Sequence, residues 1–340
     1  MGIGQRTLEE LEMSFWKDRN VFVTGATGLL GSWLVEALLE REAHVVCLVR
    51  DWVPRCRTVE AGLLERTSVV RGELEDGDVI VRALNEYEVD SVFHLGAQTI
   101  VGTAARSPRS TFEGNIRGTW NVLEACRVCP KLVQRVVVAS SDKAYGVHDT
   151  LPYTEQAPLQ GRFPYDVSKS CADLIALSHY HTFGTPLAIT RCGNLFGGGD
   201  LNFNRLIPGT IRSALRAENP IIRSDGTLVR DYFYVKDAVE AYLLLAEQLP
   251  DQRFVGEAFN FGTETPVSVL ALVEQILSLR GTTSLEPVIL NESSHEIPRQ
   301  FLDCSKARRM LDWKPSFAPG DALRETIAWY ETWLRRGERS

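Results

Sequence analysis

Apolar residues gather in short runs bounded by turn formers at 20–24, 44–49, 68–70, 91–94, 135–139 and 187–191. Runs this short and rich in valine read as buried strands. Between them, apolar positions return at helical spacing, as in Trp33-Leu34-Ala37-Leu38, and again near 77–87, 111–127 and 165–182. Strand and helix in alternation predict an α/β chain with a parallel sheet covered on both faces. After Arg191 the pattern loosens into the glycine-rich stretch Asn194-Leu195-Phe196-Gly197-Gly198-Gly199-Asp200. An amphipathic helix over 235–249 should return to the sheet, and 259–262 reads as one more strand and turn. Helices near 267–280 and 321–336 would build a smaller, mainly C-terminal lobe. The expected division is 16–192 with 234–263 for the sheet domain, and 193–233 with 264–336 for the lobe.

The first strand runs directly into Gly25-Ala26-Thr27-Gly28-Leu29-Leu30-Gly31 and a helix. Glycines there permit a tight turn and close backbone approach, so that amides at the helix start can receive a pyrophosphate. This strand, turn and helix context makes the sheet Rossmann-like and doubly wound, although the glycines are spaced three and three instead of two and three. The second strand ends at Arg50-Asp51, where an acidic residue would reach the adenosine ribose hydroxyls. A guanidinium at Arg50 suits a 2′-phosphate instead; NAD is favoured over NADP. Ligands on such sheets sit at the carboxyl ends of strands, so the glycine turn, His94-Leu95-Gly96-Ala97-Gln98 and Ser140-Ser141 should line one edge.

Two further stretches carry chemistry. Ser141-Asp142-Lys143 places a hydroxyl, a carboxylate and an amine in succession, and Tyr165 and Lys169 are four apart, on one face of a helix. An ordinary polar loop and the exposed start of an amphipathic helix are the plainer readings of each taken alone. In the lobe, Arg205, Arg212, Arg216, Arg223 and Arg230 suggest an anionic ligand; for Arg216 a solvated face is the better reading.

Composition narrows the choices. A chain of 340 residues suits two domains or one elaborated core, and its net charge of -7 argues against a nucleic-acid surface. No apolar run approaches the ~20 residues of a membrane span, and the N-terminus lacks the apolar centre of a secretory signal, so a cytoplasmic location is expected. Met1-Gly2-Ile3 has Arg6 where myristoylation needs Ser or Thr. Seven scattered cysteines suit reduced thiols. Cys126 and Cys129 form a CxxC with no second pair or nearby histidine, so packing is expected there and no metal site. His94, His179 and His181 are expected in core or loop roles.

The combination GATGLLG, HLGAQ, Asn115-Ile116-Arg117-Gly118-Thr119, SSDKAYG, YDVSK and RDYFYV resembles the extended short-chain dehydrogenase/reductases that act on nucleotide sugars, over roughly 16–335. Within that group the chain looks like the CDP-glucose 4,6-dehydratases, through FWKDRNVFVTG, SSDK, RCGNLFGGGD with Arg205, and HEIPRQFLDCSKARRMLDWKP. The resemblance implies that Tyr165 removes a proton from the sugar's 4-hydroxyl as hydride passes to NAD, aided by Ser141 and Lys169. Asp142 would then protonate the departing 6-hydroxyl and Lys143 would take the proton at carbon 5. Many relatives have Asp-Glu where this chain has Asp-Lys, and a lysine at its ordinary pKa of ~10.4 would be charged and useless as a base. Burial would lower it and raise Asp142.

The same resemblance assigns cofactor binding to Gly25, Thr27, Gly28, Leu29, Leu30, Gly31, Arg50, Asp51, Glu73, Leu74, Leu95, Gly96, Ala97, Gln98, Asn115, Ala139, Tyr165 and Lys169. Substrate binding falls to Gln98, Asn194, Arg205, Arg230 and Arg299. Glu73 stands where the family usually has an adenine-contacting Asp; Gly96 and Ala144 are small for their places. The loop between Gly146 and Pro164 is expected to carry substrate-specific change. A homodimer through the helices near 111–127 and 165–182 is expected. The competing functions are a nucleotide-sugar epimerase, which has no evident use for Asp142-Lys143, and a non-catalytic cofactor-binding scaffold.

Overall fold

The computed structural model describes residues 15–292 and 296–337; Met1-Gly2-Ile3 and Arg6 lie outside them. Seven strands, β1 (Asn20–Thr24), β2 (His44–Val49), β3 (Ser68–Arg71), β4 (Ser91–His94), β5 (Arg135–Ala139), β6 (Leu187–Cys192) and β7 (Ala258–Phe261), form the central sheet. Their order is β3-β2-β1-β4-β5-β6-β7, and every pairing is parallel. The sheet is Rossmann-like and doubly wound, with strand order reversing between β1 and β4.

Strand alternation explains why these runs are apolar throughout. Val21, Val23, Val45 and Phe93 face one layer with Leu34 and Leu38 of α1 (Leu29–Glu40). Phe22, Val46 and Val92 face the other, with Ile80 and Leu84 of α2 (Gly77–Glu86) and Val122 and Leu123 of α3 (Gly118–Val128). A strand buried on both faces has no polar side to show. Cys126 and Cys129 are buried in this second layer, where Asn85 Nδ2 donates to Cys129 Sγ at 3.1 Å.

One expected helix is interrupted. The stretch near 111–127 is an α-helix at Pro108–Phe112, a π-helical turn at Glu113–Arg117, and then α3. The wider turn brings Asn115 inward, where Oδ1 accepts from the Gln98 amide at 2.7 Å and Nδ2 donates to the Gln98 carbonyl and to Ser168 Oγ.

α4 (Pro164–Phe183) crosses beside β5 and β6, and α5 (Leu206–Leu215) opens the lobe. α6 (Val235–Gln248) returns to the sheet, α7 (Val269–Arg280) packs on α5 around Ala214, Ile222, Val269, Val273 and Leu277, and α8 (Pro319–Gly337) completes the lobe with Ala322, Leu323, Ile327 and Tyr330 joined to the main core. Short strands at Val267–Ser268, Val229–Arg230 and Arg299–Gln300 form a three-stranded sheet. None of the described helices is long and apolar enough to cross a membrane.

A buried ion pair ties the sheet to α4. Arg191 Nε and Nη2 donate to the two carboxylate oxygens of Asp173, both at 2.8 Å, and Nη1 donates to Tyr145 Oη at 2.9 Å. Tyr145 in turn donates to Asn260 Oδ1 on β7. The fork is bidentate and both side chains are almost wholly buried, so removing one partner strands a charge. Replacing Asp173 with Ala should cost about 3–5 kcal/mol in denaturant unfolding. The double variant Asp173→Ala, Arg191→Leu should recover most of that loss.

Candidate active site

The carboxyl ends of β1 and β4 meet where strand order reverses. Gly25 has φ 73°, and a Cβ there would stand 2.8 Å from the Gly96 nitrogen. A Cβ on Gly31 would stand 2.1 Å from the Gly25 carbonyl oxygen. The two turns and the start of α1 are therefore packed backbone to backbone, and the absence of a side chain at Gly25 is what admits the Gly96 backbone. Gly28 caps α1 without a side-chain bond, leaving its first-turn amides available to an anion.

The same junction is stitched from beneath. Thr24 Oγ1 accepts from the amides of Leu95 and Gly96, so its one proton goes to His94 Nδ1 at 2.9 Å. His94 Nε2 then donates to Thr119 Oγ1 at 3.0 Å, and Thr119 donates to the Asn115 carbonyl. Burial, helped by the charge of Lys169, pushes His94 down to about 3, so it is a neutral structural link.

At the end of β5, Ser141 opens a single 3-10 turn, Asp142–Tyr145. Ser141 Oγ donates to Asp142 Oδ1 at 3.0 Å and accepts from the Lys143 amide. α4 begins at Pro164, whose fixed φ suits a first helical position, and carries Tyr165 against Ser141. One turn on, Lys169 Nζ donates to the Ala139 carbonyl at 2.8 Å. From the lobe come Arg205, which reaches Asp200 Oδ2 at 2.9 Å and Thr99 Oγ1 at 2.8 Å, and Arg230, which donates to Glu296 Oε2 at 3.0 Å.

These elements enclose a cavity of about 1180 Å³, larger than a single drug-sized ligand needs. Its wall includes Gly25, Thr27, Gly28, Leu29, Leu30, Gly31, Arg50, Asp51, Leu74, Leu95, Gly96, Ala97, Gln98 and Ala139. Ser141, Lys143, Tyr165, Lys169, Asn194, Arg205 and Arg230 share it, as do Arg212 and Arg223. Arg216 is exposed and off the wall.

Four expected residues stand elsewhere. Glu73 is exposed in an acidic recess with Asp76 and Asp78; its neighbour Leu74 turns in against Gly96 and Gly118, which sends Glu73 out. Arg299 alternates with the buried Gln300 and so faces outward, its guanidinium over the Phe301 ring. Asn115 lies behind the wall and holds the Gln98 backbone. Asp142 is also just behind the wall, its Oδ2 without a hydrogen-bond partner. Nor does the loop between Gly146 and Pro164 line the cavity: Tyr153 Oη bonds back to the Gly146 carbonyl, and Tyr153 pairs with Leu302. Glu296, within HEIPRQFLDCSKARRMLDWKP, is a further residue of the cavity wall that the sequence does not signal. Its partner Arg230 is 66 residues away, so no local spacing signals the pair.

Burial sets the charges. It pushes Asp142 up to about 6, opposed by Lys143 and the Ser141 hydrogen bond. It pushes Lys143 down with help from Arg230, against Asp142, Glu296 and Asp166. Tyr165 rises to about 12 and Lys169 falls to about 8, both chiefly through burial. An ionised Asp142 is thus disfavoured in the folded state: the cost is absent below about pH 3.8, grows as pH rises towards 6, and is complete above it. Asp142→Asn should therefore stabilise the protein by about 2–3 kcal/mol at pH 7.5 in denaturant unfolding, with the gain vanishing near pH 3.5. A gain independent of pH would contradict this.

Relatives of the chain are found by sequence and by structure. The chain is 31% identical to the CDP-glucose 4,6-dehydratase of Salmonella typhimurium, over 96% of this chain and 94% of that one. The structure of dTDP-glucose 4,6-dehydratase from Bacillus anthracis in complex with NAD superposes with a TM-score of 0.81 at 27% identity, covering 92% of this chain and 97% of that one. UDP-glucose 4-epimerase from Thermotoga maritima, solved with UDP-glucose, gives 0.83 at 25% identity, covering 93% and 99%. Residues 22–326 match the family profile described as GDP-mannose 4,6 dehydratase, and the chain belongs to that family.

Proposed function

We propose that the protein is an NAD-dependent nucleotide-sugar 4,6-dehydratase, a hydro-lyase, with CDP-glucose as its substrate and CDP-4-keto-6-deoxyglucose as its product. The observation that carries this reading is the meeting of Ser141 and Lys143 with Tyr165 and Lys169 on one cavity wall, Asp142 immediately behind. The closely packed turns at Gly25, Gly31 and Gly96 and the uncapped start of α1 fit a dinucleotide. Arg50 Nε donates to Asp51 Oδ2 at 2.7 Å; a guanidinium so engaged supports NAD over NADP. NAD, when bound, accepts hydride from carbon 4, returns it to carbon 6, and brings a positive charge that opposes the burial of the phenolate.

Tyr165 takes the 4-hydroxyl proton, with Ser141 fixing its geometry and Lys169 as the neighbouring cation. Once carbon 4 is a ketone, the carbon 5 hydrogen is acidic. Its proton passes to Lys143 Nζ, the electron pair moves into the enolate, and the carbon 6 hydroxyl leaves as water with the proton of Asp142. The base must be neutral and the acid protonated. That state holds the same number of protons as the Asp142 carboxylate with the Lys143 ammonium, so the burial that disfavours both charges favours the reactive arrangement.

Gln98, Asn194, Arg205 and Arg230 are the proposed substrate contacts. The choice of CDP-glucose rests on the similarity to the Salmonella typhimurium enzyme and on Lys143 after Asp142. Exposed Trp120 and Val128 on α3 and Leu174 and Phe183 on α4 support a homodimer through these helices. The unpaired state of all seven cysteines supports a cytoplasmic setting.

Incubation with CDP-glucose, UDP-glucose, GDP-mannose and dTDP-glucose tests the assignment by mass spectrometry. Loss of ~18 daltons from CDP-glucose is expected; an isomer of unchanged mass would mean epimerisation, and inert substrates a scaffold. Lys143→Met should leave the cofactor reduced, seen by its near-ultraviolet absorbance, without loss of water. Normal turnover by that variant would remove Lys143 from the mechanism.

A further inference from the structure

Lys143, on the sheet domain, and Arg230, in the lobe, both line the cavity, and the lobe carboxylate Glu296 lies between them. Glu296 Oε2 is 3.0 Å from Arg230 Nη2 and 3.9 Å from Lys143 Nζ. Arg230 is held in turn by its own strand, Nη1 donating to the Val229 carbonyl at 2.9 Å, and is almost wholly buried. Glu296 itself is on the cavity wall, its side chain partly open to solvent.

We propose that Glu296 is a positioning residue for Lys143, supplying from the lobe the negative charge against which the ε-amine is held. The inference rests on the reading of Lys143 as the base at carbon 5. Proton abstraction turns a neutral amine into an ammonium in a largely buried position, and a carboxylate 3.9 Å away stabilises that product. Arg230 does the reverse, so Glu296 also shields Lys143 from the nearest guanidinium. A substrate diphosphate that engages Arg230 leaves Glu296 to answer Lys143 alone. Lobe and sheet domain must therefore be in register for the base to have its full strength.

The groups facing Lys143 are Asp142 on its own turn, Asp166 on α4, Arg230 and Glu296. Those facing Glu296 are Lys143, Arg230, Asp166 and Tyr232. Removing the Glu296 charge leaves Arg230 the dominant neighbour from the lobe, and the amine loses its proton at lower pH.

The test is Glu296→Gln, with two readouts. In the ligand-free protein, the titration of the Lys143 side chain, followed by NMR and assigned by its loss in Lys143→Met, should move down by roughly one pH unit. With CDP-glucose, the pH limb of solvent-deuterium entry at carbon 5 should move the same way, kcat on the high-pH plateau should fall several-fold as the base weakens, and KM should change little. Glu296→Asp, which keeps the charge, should hold the titration near its original place. A midpoint unmoved in Glu296→Gln overturns the inference and leaves Glu296 a structural tie to Arg230. Carbon 5 exchange at the original rate in Lys143→Met overturns the base assignment instead, and the ligand-free titration keeps the two failures apart.

Discussion

The site depends on how closely two turns of backbone can approach at the point where strand order reverses. The carboxyl ends of β1 and β4 are neighbours, and a side chain at either Gly25 or Gly31 would drive the glycine turn off its partners. That closeness is possible only because the polar groups beneath it are satisfied. Thr24 accepts two amides from the β4 turn, His94 passes the chain to Thr119, and Asn115 carries it on to Gln98 and Ser168. Ser168 donates to the Tyr165 carbonyl. One run of hydrogen bonds thus links the turn that would receive the cofactor with the helix that presents the tyrosine, and an unpaired member would cost the desolvation of a buried polar group.

The sheet was legible because its signals are local. Buried strands on two covered faces have to be apolar over their whole length, and the intervening helices show their own period. Gly25 and Gly31 were likewise readable, since a positive φ at the first and a close backbone approach at both leave few alternatives. The residues that escaped are those set by alternation or by distant partners. Glu73 and Leu74 lie in the turn after β3, where no period tells which side chain points in, and Arg299 and Gln300 differ only in which face of a short strand they occupy, so a one-residue shift of register reverses them. The long helix expected from 111 to 127 hid a π-turn because five residues of wider winding leave the apolar period almost intact. Glu296 was invisible for a different reason: a carboxylate gains its meaning from Arg230 and Lys143, which only the folded lobe brings to it.

Stability and function pull against each other at the turn after β5. Asp142 is buried with one oxygen unsatisfied, and Lys143 is held where its charge is poorly solvated. A chain selected only for stability would not keep an ionisable pair there. Its retention is reasonable if the buried pair is meant to react as the neutral acid and neutral amine. Tyr145, the last residue of that turn, is bonded to Asn260 and to Arg191 of the Arg191–Asp173 fork, which lie behind it. They hold it from the far side with charge-assisted bonds whose geometry is complete, which offsets strain that the reactive face cannot relieve.

Charge bookkeeping also bears on why a lysine is workable where many members of the family carry a glutamate. A neutral Asp beside an ionised Glu gives the acid–base pair one negative charge. A neutral Asp beside a neutral Lys gives none, and Arg230 would then dominate the field at the proposed base. Glu296 restores the missing negative charge from the lobe, at a distance that keeps it out of the proton transfer itself. On the proposed mechanism the acid, the base and the counter-charge are thus spread over one turn of the sheet domain and one segment of the lobe, and the reacting pair would be complete only when both are present.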